Sequence, residues 1–102
     1  MKHITYTELQ TWITEGKKHQ LIDVREADEH AAYNIGGVFI PLSKISRWQP
    51  EDDTQPVVLY CKRGMRSQIA IQRLAARFPE VDFYNLENGI LTLFSEWKIL
   101  NP

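Results

Sequence analysis

Cys61 is the only cysteine in this 102-residue chain, and it opens the run Cys61-Lys62-Arg63-Gly64-Met65-Arg66-Ser67. Three cations and a glycine fall within the five residues that follow it. A free thiol titrates near pH 8.5 and is only about 3% thiolate at neutral pH. A reactive cysteine therefore needs groups that favour its anion. A helix dipole supplies only about 0.3–1 kcal/mol toward that end. The remainder must come from Lys62, Arg63 and Arg66, and from backbone amides turned toward the sulfur. Gly64 takes positive φ freely, which lets consecutive amides face inward. Ser67 is expected to cap the following helix and to offer the sulfur a hydrogen bond. Met65 is expected at the rim. The competing reading of a lone cysteine is a small buried hydrophobe. The cations and glycine beside Cys61 favour nucleophilic sulfur chemistry.

Such a loop needs a strand before it and a helix after it. Val57-Val58-Leu59-Tyr60 is an uninterrupted apolar run, as in a parallel sheet buried on both faces. Ala70, Ile71, Leu74, Ala75 and Phe78 lie on one face of a helix over Ser67 to Phe78, which Pro79 ends. Upstream, Thr7-Glu8-Leu9-Gln10 reads as a capping box, opening a helix with Leu9, Trp12 and Ile13 inside and Gly16 at its end. Leu21 to Val24 reads as a strand, Glu26 to Tyr33 as a short helix, and Val38 to Ile40 as a second apolar run closed by Pro41. Leu42 to Trp48 has weak helical spacing, and an acidic loop lies between Pro50 and Pro56. Val81 to Leu86 is the last expected strand, before a helix carrying Leu91, Phe94 and Trp97. Alternation of strands and helices predicts an α/β fold with a parallel sheet and right-handed crossovers. Ligands then bind beyond the carboxyl ends of strands, which is where Cys61 falls.

Composition narrows the function. The length is that of one domain, spanning 1–102. A net charge of −1 argues against nucleic-acid or membrane-surface binding. No segment approaches the roughly 20 apolar residues of a membrane span. The N-terminus lacks the apolar core of a signal peptide, so the cytoplasm is the expected compartment. One cysteine and scattered histidines predict neither a disulfide nor a metal site, and nothing calls for a cofactor. Arg73 and Arg77 read as a solvated helix face. His3 and His19 read as surface residues, and His30 as packing or surface. Asp23 and Arg25, at a strand end, read as an ion pair or tether that supports the loop rather than as catalysts.

The motifs together resemble the rhodanese-like sulfurtransferase domains. Leu21-Ile22-Asp23-Val24-Arg25-Glu26 is similar to that family's first signature. Glu29 to Tyr33, Asn34-Ile35-Gly36-Gly37 and Ile40-Pro41-Leu42 are similar to its second. Cys61 to Ser67 has the common active-loop form Cys-x-x-Gly-x-Arg-Ser, and Asn85 to Ile90 is similar to the closing signature. The resemblance covers about residues 7–97. Tyr33-Asn34 replaces the usual Gly-His, Asn88 replaces a common glycine, and Leu93 a common tryptophan.

The resemblance implies a three-layer fold, with a mainly parallel central sheet of about five strands and helices on both faces. It implies that Cys61 accepts a sulfane sulfur from thiosulfate or a related small anion and holds it as a persulfide. A thiophilic acceptor (cyanide, a small thiol or a partner protein) then removes it. Arg66 would bind the donor, Lys62 and Arg63 would attract it, and the loop amides of Gly64 to Ser67 would cradle the persulfide. A persulfide carrier or binding module for a partner protein would use the same residues. Cysteine-dependent phosphatases and arsenate reductases of related fold are the more distant alternative. Phosphatases need one more residue between cysteine and arginine than the four present here.

Overall fold

The computed structural model describes all 102 residues. Its elements are β1 (Lys2–Ile4), α1 (Tyr6–Thr14), β2 (Gln20–Asp23), α2 (Ala27–Ala32) and β3 (Val38–Phe39), then a 3-10 turn (Leu42–Arg47). They continue with β4 (Val57–Tyr60), α3 (Met65–Arg77), β5 (Phe83–Leu86) and α4 (Leu91–Leu100). The five strands form one sheet in the order β1-β5-β4-β2-β3, and every pairing is parallel. This is the α/β architecture with a parallel five-stranded sheet anticipated from the sequence.

β4 sits at the centre, and its side chains alternate between two cores, as the period of a strand requires. Val57, Leu59 and Cys61 join Ala70, Ile71 and Leu74 of α3 and Ile45 of the 3-10 turn. Val58 and Tyr60 face the other way, toward Leu9 of α1 and Ile90 at the start of α4. All four β4 residues are fully buried. The strand therefore holds its C-terminal end, and the cysteine just beyond it, in a fixed place.

Two local expectations are corrected, and one strand is new. The capping box belongs to Thr5 and Glu8, not Thr7 and Gln10: Glu8 N–H donates to Thr5 Oγ1 at 3.1 Å, and Thr5 N–H donates to Glu8 Oε1 at 2.9 Å. Both threonines satisfy the motif, but chain entry from β1 starts the helix two residues earlier. β1 itself was not anticipated; only Ile4 of its three residues is buried, too little for a pattern to register. α3 begins at Met65, and its N-cap is Gly64 rather than Ser67. No helix is long and apolar enough to cross a membrane.

Candidate active site

Cys61 follows β4 directly, and its side chain is 1% exposed. Burial is not the whole of its environment. Gly64 N–H donates to Cys61 Sγ at 3.1 Å, and Ser67 N–H donates at 3.4 Å. Ser67 Oγ also lies 3.4 Å from the sulfur. Gly64 makes this possible with φ at 91°, a left-handed conformation that turns the chain around the sulfur and starts α3. Ser67 thus sits in the first turn of α3, and its hydroxyl continues to the side-chain oxygen of Asn85 instead of capping the helix. Two amides at a helix N-terminus, aimed at one sulfur, form an anion nest.

Cys61 lines a recess of about 340 Å³ together with Lys62, Arg63, Met65 and Arg66. Met65 stands at the rim, 69% exposed. Lys62 and Arg63 are exposed and make no ion pair.

Arg66 differs from the sequence reading. Its guanidinium is clamped by Glu29 of α2, Nη1 to Oε1 at 2.6 Å and Nη2 to Oε2 at 2.9 Å. Hydrogen bonding from Arg66 lowers the Glu29 carboxyl from its ordinary 4.5 to about 2. A carboxylate lowered in the folded state stabilises fully above its unfolded value. That contribution is lost as pH falls from 4.5 through about 2. At neutral pH the mouth therefore carries two unpaired cations and one neutralised arginine.

Beneath α2, Asp23 ends β2 and gathers two partners, Arg25 and His30. Arg25 Nε and Nη2 donate to its two oxygens at 2.9 and 2.8 Å, and Arg25 N–H donates at 3.0 Å. His30 Nδ1 lies 2.8 Å from Asp23 Oδ2, with its ring stacked on Phe39 at 4.7 Å. Burial alone would raise the Asp23 carboxyl, but Arg25 and His30 outweigh it and hold it below its ordinary value. Arg25 also donates to the Tyr33 carbonyl at 2.5 Å, which ties the end of α2 to β2. None of these groups bonds to the sulfur; the cluster fixes α2, and α2 carries Glu29 to Arg66.

The profile of the family described as Rhodanese-like domain matches residues 5–98. The chain belongs to the rhodanese-like domain family. A rhodanese-like domain protein from Staphylococcus aureus has the same fold, with a TM-score of 0.78 and 30% identity over 88% of both chains. The uncharacterized protein YqhL of Bacillus subtilis is 36% identical over 95% of this chain and 72% of its own length. The probable adenylyltransferase/sulfurtransferase MoeZ of Mycobacterium tuberculosis is 39% identical over 86% of this chain. This rhodanese-like domain spans only 23% of MoeZ.

Several residues around the cysteine loop were given no role of their own from sequence. Glu29 looked like one acid in an acidic run, and Asn85 like one strand residue. Gly89 looked like part of a turn, yet it lets the start of α4 press on the cysteine loop. Ile90 N–H donates to the Cys61 carbonyl at 3.1 Å, and Leu91 N–H to the Lys62 carbonyl at 3.0 Å. Only the pairing of β4 with β5 reveals that approach.

Proposed function

We propose that this domain is a sulfurtransferase that carries a sulfane sulfur on Cys61. The observation that carries the reading is the pair of amides, from Gly64 and Ser67, aimed at a single sulfur beneath a cationic mouth. The Cys61 thiolate attacks the outer sulfur of thiosulfate or a related donor. A new S–S bond forms, the old one breaks, and sulfite leaves with the electron pair. The acceptor attacks the terminal sulfur of the persulfide and returns Cys61 as thiolate, a covalent double displacement. The amides stabilise the sulfur anion at each end of the cycle, as an oxyanion hole does for oxygen. Lys62 and Arg63 draw in the anionic donor. The name of MoeZ is consistent with this chemistry, although it belongs to a protein much longer than this chain.

With no second cysteine in the chain, the persulfide has no internal thiol to discharge it. The acceptor is therefore external: cyanide, a small thiol or a partner protein. Steady-state rates with thiosulfate and cyanide both varied are expected to give parallel double-reciprocal lines. Intersecting lines would mean that donor and acceptor bind together, and the free persulfide enzyme would not be an intermediate.

Arg66 binds the donor only through the edge that Glu29 leaves free. Glu29→Gln removes a negative charge from the mouth and is expected to lower the KM for thiosulfate about fivefold with little change in kcat. A raised KM would instead make Glu29 the group that aims Arg66 at the donor.

A further inference from the structure

The hydrogen bonds at the sulfur continue past Ser67 to the far edge of the sheet. Ser67 Oγ, 3.4 Å from Cys61 Sγ, bonds to Asn85 Oδ1, and Asn85 Nδ2 lies 3.2 Å from His3 Nδ1. The register of β1 on β5 sets His3 opposite Asn85. Ser67 and Asn85 are buried, while His3 is exposed. Sulfur transfer as described above uses neither Asn85 nor His3.

A serine hydroxyl has one proton to give. With Asn85 Oδ1 toward Ser67, that proton goes to the amide and the sulfur faces an oxygen lone pair. A thiol suits this arrangement, because its S–H can donate to Ser67 Oγ. Half a turn of the amide exchanges Oδ1 and Nδ2 with almost no change of shape. Nδ2 then donates to Ser67 Oγ, and the hydroxyl proton points at the sulfur, which suits a thiolate. The first arrangement needs an acceptor at His3 Nδ1, and the second needs a donor there. An imidazole supplies either one by exchanging tautomers.

We propose that His3 and Asn85 are positioning residues that set the direction of the Ser67 hydroxyl proton, and so ready Cys61 to react as its anion. The proposal rests on Cys61 being a nucleophile but not on which donor it attacks. His3 acts across the edge strand without touching the sulfur.

The test is the second-order rate of Cys61 alkylation by iodoacetamide, a neutral reagent, at one neutral pH in the full chain. His3→Leu is expected to slow it about fivefold, less than a whole hydrogen bond to a charged group because water reaches this edge. His3→Asn, whose amide offers both a donor and an acceptor near the Nδ1 position, restores most of the rate. Ser67→Ala slows alkylation more, and adding His3→Leu to it causes no further slowing. An unchanged rate in His3→Leu overturns the proposal. So does a His3→Leu effect that persists without the Ser67 hydroxyl. The His3 side chain is exposed and β1 pairs through its backbone, so the His3 variants keep the fold. If alkylation follows this pattern while thiosulfate leaves no sulfur on Cys61, the relay stands and the transferase reading fails.

Discussion

Cys61→Ser is expected to reduce thiosulfate-dependent sulfur transfer to cyanide to background, a loss on the order of 10³-fold or more. The oxygen replaces the sulfur almost isosterically, and the amides of Gly64 and Ser67, now 3.1 and 3.4 Å from Sγ, can still donate to it. The fold and its melting temperature should therefore change little. What disappears is the nucleophile: a serine hydroxyl holds its proton at neutral pH, and no base bonds to this position. The assay compares initial rates of thiocyanate formation in wild type and variant at equal, verified folding. Wild-type turnover in the serine variant would place the chemistry elsewhere.

Gly89→Ala should be the most damaging single-methyl change near the site. A Cβ there would lie 2.3 Å from the Lys62 carbonyl oxygen, 2.4 Å from its carbon and 2.5 Å from the Cys61 carbonyl oxygen. These are backbone atoms of the cysteine loop, so no side chain can swing aside. The residue also holds φ at 61°, which penalises any Cβ. The expected cost is about 3 kcal/mol or more, read as a drop in melting temperature of roughly 12 °C or more. Transfer activity falls further than stability does, because relieving the clash displaces Lys62 and the amides behind it. Gly36→Ala is the control. Its φ of 96° also disfavours a side chain, but nothing lies within 4 Å of the added carbon. It should cost only about 1–2 kcal/mol. Equal melting temperatures for the two variants would show that the packing of α4 on the cysteine loop is not tight.

The contrast between these glycines explains what could be read from sequence. Gly64 was legible because a local need, amides turned toward a neighbouring cysteine, accounts for it. Gly89 was not, because its neighbours Cys61 and Lys62 are more than twenty residues away. The same division holds for the charges. Asp23 and Arg25 are two positions apart, and their pairing follows from that proximity. Arg66 and Glu29 are separated by 37 residues, and only the packing of α2 beside the loop brings them together. The central strand was plain because burial on both faces leaves four apolar residues in a row. β1 was invisible because an edge strand of three residues needs only one buried side chain. Rhodanese-like membership followed from motif order, which survives the substitutions at Tyr33, Asn34, Asn88 and Leu93 because none lies in the cysteine loop.

The most direct measurement is the intact mass of the reduced protein after exposure to thiosulfate without an acceptor, with excess donor removed and no reductant present. A persulfide on Cys61 predicts a gain of one sulfur atom, absent from Cys61→Ser and reversed by cyanide with one thiocyanate released per chain. An unmodified mass after prolonged exposure, or added sulfur that survives in the serine variant, would contradict the account.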